Sequence, residues 1–139
     1  MIVLPAGLAA RPMRSGDAAT WAALLQAVEA ADRRAENYDE QDCAEELADP
    51  DVDLGRDTTL VLDAAGAPVA YQVLRTRAGA GLGTRVIAEG AVHPAHRRRG
   101  VGAALLGLAR RRAEAVAGSV EMRVAETNAG ASRWPSGPG

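Results

Sequence analysis

Apolar residues along the 139-residue chain recur with a period that switches between strand and helix spacing, and each switch marks an element. Leu8 to Met13 is a short apolar run that predicts a first strand. Ser15-Gly16-Asp17 supplies capping residues for a helix from about Asp17 to Arg33, in which Trp21, Leu24, Leu25 and Val28 return at helical spacing. Asp39 is placed to cap a second helix through Ala48, with Ala44 and Leu47 inward, carboxylates outward, and Pro50 helping to close it. Thr58 to Asp63 and Pro68 to Thr76 are apolar, β-branched stretches separated by Ala64-Ala65-Gly66-Ala67, which predicts an antiparallel hairpin. A glycine-rich turn at Gly79 to Gly83 leads into a strand from Arg85 to Val92, so three strands form a meander. Gly102 to Ala117 predicts a helix with Leu105, Ala109, Ala113 and Val116 on one face, and Val120 to Ala125 a further strand. The strand, helix and strand from Val86 to Val124 form a right-handed parallel crossover unit, and the order β-α-α-β-β-β-α-β is that of a mixed-sheet α/β (α+β) fold.

The join between that crossover's first strand and its helix carries the most specific chemistry. Val92 to Leu106 reads VHPAHRRRGVGAALL. Gly100 and Gly102 lack Cβ atoms and can aim successive N–H groups into one concavity, while the helix opening there adds its unsatisfied amides and positive dipole end. Such a turn fits a diphosphate. A P-loop is excluded because it ends in Gly-Lys-Ser/Thr and this chain has no lysine. A Rossmann fingerprint needs a third small residue and a place in the first βα unit of its domain, and neither condition is met.

The same residues resemble motif A of the GNAT family of acetyl-CoA-dependent acyltransferases, whose pattern is Arg/Gln-x-x-Gly-x-Gly/Ala after a strand ending in Val-x-Pro. Here the pattern is Arg97, Gly100 and Gly102, preceded by Val92 and Pro94. The resemblance implies a coenzyme A pyrophosphate site over Arg97, Arg98, Arg99, Gly100, Val101, Gly102 and Ala103, with Ala91 and Val92 along the pantetheine arm. It covers nearly the whole chain as one domain over 7–139 and implies a GNAT-like sheet whose fourth and fifth strands splay around the thioester. A weaker similarity, to the first half of tandem GNAT proteins of the mycothiol synthase type, implies a domain that can bind the coenzyme without performing the transfer.

Acetyl transfer to an amine needs proximity, a route for the amine proton and donors for the developing oxyanion. In the family a backbone N–H of the strand before the turn polarises the thioester carbonyl, here that of Val92 or its neighbour. Glu89 is the candidate base, as the only carboxylate of that strand, the alternative being a surface or packing carboxylate. His93 is a second candidate, although its place at the strand exit favours a solvated turn residue, and Tyr71 on the preceding strand either lines the acceptor cleft or packs. Asn128 begins the family's Asn-x-x-Ala-x-x-Leu/Phe-Tyr motif, capping the next helix and reaching the coenzyme, but Pro135 stands where the tyrosine acid belongs. The chain then reads Pro-Ser-Gly-Pro-Gly, which cannot continue a helix. The expectation is therefore a C-terminally incomplete domain lacking its last two strands, with the fifth strand as an edge available for self-association.

Composition narrows the remaining classes. The length suits a single buried core, and with 47% apolar residues but no Phe that core is aliphatic. All sixteen basic residues are arginine, and the net charge of −2 argues against a nucleic-acid binder built on the clusters Arg97–Arg99 and Arg110–Arg112. Between Glu36 and Asp53 stand nine acidic residues and no basic one, read as a solvated face or as the approach of a cationic amine. Cys43 is alone, so it makes no internal disulfide, and no His/Cys cluster suggests a metal site. No segment has the make-up of a signal peptide or a membrane span, so a cytoplasmic protein without membrane or nucleic-acid partners is expected. The expected function is acetyl transfer from acetyl-CoA to an amine of a small molecule or peptide; the alternative is a catalytically incomplete CoA-binding module of a tandem protein.

Overall fold

Five strands, β1 (Ala9–Arg11), β2 (Thr58–Leu62), β3 (Pro68–Gly79), β4 (Gly83–Val92) and β5 (Ser119–Arg123), lie side by side in chain order in a computed structural model describing residues 3–79, 83–116 and 119–123. The first four pair antiparallel, and β4 pairs β5 in parallel. The parallel pair needs the crossover helix α4 (Val101–Ala115), which packs on one face of the sheet. Helices α1 (Ala18–Asp32) and α2 (Glu40–Leu47) cover the other face. The middle of the Gly79 to Gly83 turn, Ala117, Ala125 and Asn128 lie outside the described residues.

Side-chain alternation along the strands divides the core into its two layers. Met13, Trp21, Ala22, Cys43, Leu47, Leu60 and Val73 pack together between α1, α2 and the sheet. Val61, Val69, Ala70, Val92, Val101 and Leu105, with Leu74, Val86, Ala88, Ala109 and Ala113, pack beneath α4. The face predicted for this last helix is the buried one, with Val116 packed at its end. One polar group crosses the layer: Gln72, fully buried, donates from Nε2 to the Leu105 carbonyl at 2.9 Å.

Several elements differ from the sequence reading. The first strand pairs over only three residues because Pro12 offers no N–H, and the Met13 N–H leaves the ladder for Thr58 Oγ1 at 2.8 Å. The α2 helix buries Cys43 and Leu47, while Ala44 is exposed. Helix pitch allows one residue of that adjacent pair to face the sheet squarely, and the thiol takes the place. A one-turn helix α3 (Leu54–Asp57), capped by Asp53 accepting from the Arg56 N–H, precedes β2. It is too short for a periodic signal. The β2–β3 ladder shifts register between Val61 and Leu62, where Pro68 lacks a donor, and the Asp63 carboxylate accepts the N–H groups of Ala65 and Ala67 at 2.9 Å each in the intervening turn.

Candidate active site

The site forms where β4 leaves the sheet. His93 donates its backbone N–H to the Val69 carbonyl at 2.7 Å, which fixes the alternation of the β3–β4 ladder. In an antiparallel pair, neighbouring residues turn their backbone groups to opposite sides, so the N–H and C=O of Val92 point away from β3, toward the β5 side. The described parallel ladder runs from Arg85↔Ser119 to Glu89↔Arg123. No described residue stands opposite Val92 on that side. Its carbonyl accepts from Arg97 Nε at 3.0 Å, and the Val92 N–H lies on the same side of the strand.

After Val92 the chain makes a short 3-10 turn, Pro94–His96, which His93 caps by accepting the Ala95 N–H on Nδ1 at 3.0 Å. Arg98 and Gly100 then take left-handed backbone, with φ of 65° and 86°. At Gly100 this conformation suits a residue without a Cβ, and it swings the chain into α4. The first helical bond is Ala104 N–H to the Gly100 carbonyl at 3.0 Å. The N–H groups of Val101, Gly102 and Ala103 therefore have no intrahelical acceptor, and among the described residues no side chain caps them. Gly102 differs from its expected role. The helix has begun at Val101, so Gly102 sits in right-handed backbone and contributes the absence of a side chain rather than an unusual turn.

The three arginines of the turn separate. Arg98 and Arg99 are exposed beside the open amides. Arg97 is turned inward: its Nη1 and Nη2 donate to the two carboxylate oxygens of Asp32 at 2.8 Å each, a bidentate pair in which the Asp32 side chain is 2% exposed. The Arg97 side chain is thus committed within the protein, and its backbone is what remains for a ligand.

Glu89 projects from β4 on the α1/α2 face, its side chain 43% exposed, with Arg75 Nε 3.6 Å from Oε1. Arg75 also reaches Glu46 of α2 at 2.7 Å and Asp49, just past its end, at 3.5 Å. Tyr71 stands opposite Ala91 in the ladder and packs its ring against Trp21, with centroids 5.3 Å apart. Burial pushes the Tyr71 phenol far above its ordinary value of 10.0, and Glu89, Glu36 and the Tyr38 phenol add to the effect. Exposed Tyr38 is also raised, by partial burial and then by Glu36, Glu89, Glu46 and Asp42. Both tyrosines thus remain protonated donors at neutral pH. His93 is half-buried, and burial, His96 and Arg97 hold its imidazole below the ordinary 6.5. Cys43 is buried among carboxylates that, after burial itself, push its thiol to about 11, so it is no nucleophile.

Sequence reasoning missed Asp32, Arg75, Glu46 and Asp49. Asp32 lies 65 positions from Arg97, and such pairings leave no local pattern. Among the described residues, no group of His, Cys, Asp and Glu is arranged to hold a metal ion, and no helix is long and apolar enough to cross a membrane.

The strand end at Val92, the left-handed Gly100 and the start of α4 thus stand together at the residues that resemble motif A. Residues 21–134 match the sequence pattern of the Acetyltransferase (GNAT) family. The chain belongs to this family. Its fold is shared by solved N-acetyltransferases at low identity. A GCN5-related N-acetyltransferase from Sphaerobacter thermophilus superposes with a TM-score of 0.77 at 23% identity, covering 92% of this chain but 41% of the other. The ribosomal-protein-alanine N-acetyltransferase of Brucella melitensis gives 0.62 at 19% identity, covering 84% and 79%. An aminoglycoside N-acetyltransferase solved in complex with CoA gives 0.61 at 16% identity, covering 87% and 80%. No curated protein matches the sequence.

Proposed function

We propose that this GNAT chain moves an acetyl group from acetyl-CoA to the amine of a small molecule or peptide. The observation that carries the reading is the uncapped start of α4 at Gly100–Ala103, next to the outward-turned N–H of Val92. In this reading the coenzyme pyrophosphate takes the open amides of Val101, Gly102 and Ala103, and Arg98 and Arg99 add charge from the flank. Ala91 and Val92 run along the pantetheine arm, and Asn128 reaches the coenzyme from the next segment. The Val92 N–H polarises the thioester carbonyl. The amine nitrogen attacks the carbonyl carbon, the oxyanion collapses, the C–S bond breaks and the thiolate leaves with a proton from solvent. Glu89 takes the proton released by the nitrogen, directly or through water. A cytoplasmic location, and self-association along β5, belong to the same proposal; light scattering at two protein concentrations tests the latter.

Thiol release from acetyl-CoA in the presence of an amine panel tests the reaction. Glu89→Gln is expected to lower kcat by about 10²-fold or more while leaving acetyl-CoA affinity unchanged, as for removal of a general base. Unchanged turnover in that variant removes Glu89 from the role. A second reading, a coenzyme-binding domain of a longer tandem protein, is favoured by the match that takes up only 41% of the Sphaerobacter chain. Acetyl-CoA binding without thiol release for any amine would support it.

A further inference from the structure

We infer that Asp32 and Arg97 are a pair of positioning residues that set the coenzyme-facing edge of β4, acting through the Val92 carbonyl. The inference rests on the acetyl-CoA reading above. Arg97 makes three bonds with one guanidinium: Nη1 and Nη2 to Asp32 at 2.8 Å each, and Nε to the Val92 carbonyl at 3.0 Å. The fork is planar and rigid, so the Asp32 carboxylate at the C-terminal end of α1 dictates where the Nε–H points. That N–H takes the last carbonyl of β4, on the side of the strand where Val92 also presents its own N–H. The peptide plane that joins Val92 to His93 is thereby tied to α1, across the fold, and it adjoins the plane that carries the Val92 N–H. A buried ion pair is weak evidence for stability, because apolar residues of similar volume hold two elements together as well. What an apolar pair cannot supply is the directional bond to Val92. The pair also takes the Arg97 charge out of the turn, leaving anion attraction to Arg98, Arg99 and the open amides.

A double variant, Asp32→Leu with Arg97→Met, separates packing from positioning. It is expected to melt close to the native protein but to bind acetyl-CoA about tenfold more weakly by calorimetry, the consequence of one lost directional bond. Its kcat is expected to fall, with the KM for the amine unmoved. Arg97→Lys keeps a cation beside Asp32 while removing the Nε donor, and the same weakening is expected there, so the proposal stays open to test if the double variant does not fold. A folded variant of either kind that binds acetyl-CoA as tightly as the native protein overturns the inference. A native protein that binds no acetyl-CoA at millimolar concentration overturns instead the reading beneath it.

Discussion

Asp17 shows how much one carboxylate can organise at the start of a fold. It accepts both Nη atoms of Arg11, at 2.8 and 2.9 Å, and the Arg14 N–H at 2.7 Å, and so ties β1 to the entry of α1. Chiefly through Arg11, these bonds hold its carboxyl below the ordinary 3.8 against the opposing effect of burial. Folding therefore favours the ionised form. Its contribution is complete above the unfolded value near 3.9 and is lost as pH falls through the lower folded value. Asp17→Asn is expected to cost about 1–3 kcal/mol at pH 7 in urea unfolding, with native and variant stabilities converging below about pH 4. Equal stabilities at pH 7 would show that the bonds contribute nothing net. Gly100 makes a different demand. An added Cβ there meets nothing within 4 Å, so the cost of Gly100→Ala is the left-handed backbone alone, at φ 86°. About 1–2 kcal/mol of stability is expected to be lost, and acetyl-CoA affinity with it if the backbone relaxes and re-aims the amides after Gly100. A variant whose melting and binding both match the native protein would mean that the turn does not need its glycine.

At the scale of elements, α2 is held by both apolar anchors and charge. Its start is closed by the reciprocal bonds of Asp39 and Asp42 at 2.9 Å each, its apolar anchors are Cys43 and Leu47, and Arg75 draws Glu46 and Asp49 toward the sheet. The Glu46 side chain is 48% exposed and that of Asp49 31%, so solvent screens much of the attraction. Arg75→Ala is expected to lower global stability by under about 1 kcal/mol. Local loosening is the larger effect: amide exchange within α2 rises while β2 and β3 keep their protection. Unchanged exchange in α2 would assign its docking to Cys43 and Leu47 alone. These elements also show what periodicity can and cannot reveal. Trp21, Leu24 and Leu25 announce α1, and Leu105, Ala109 and Ala113 announce α4, because repeated burial on one face is written into neighbouring residues. The turn at Arg97 to Ala103, proposed for the pyrophosphate, is legible as a turn into a helix for the same reason, since its parts are contiguous. Helix α3 is four residues long, shorter than two turns, and Arg75 meets α2 only after the sheet has formed, so neither leaves a local trace. The choice of Cys43 over Ala44 for the buried position is likewise made by the docking angle of α2, which its own sequence does not encode.

Over the whole molecule, an acidic run and a basic turn lie on different elements around the candidate reaction centre. The run from Glu36 to Asp53 carries nine carboxylates on and around α2, on the face of the sheet where Arg75 links Glu46 and Asp49 to Glu89, while exposed Arg98 and Arg99 flank the start of α4. In the proposed reaction such a division would suit an anionic coenzyme at the turn and a cationic amine near the acidic run. It also makes the two binding events respond to salt in a way the net charge of −2 conceals. Acetyl-CoA affinity is expected to fall as ionic strength rises from about 0.02 to 0.3 M, because the Debye length shrinks from roughly 20 Å to under 10 Å. The fall should be shallower in the Arg98→Gln, Arg99→Gln double variant, which keeps the backbone amides but loses the flanking charge. For the acceptor, kcat/KM for a cationic amine should decline over the same range, while that for an uncharged one, such as an amine held neutral by a low pKa, stays flat. Acetyl-CoA binding that ignores salt in the native protein would place the diphosphate away from these arginines. Equal salt responses for charged and neutral acceptors would remove the acidic run from acceptor selection and leave it as a solvated face.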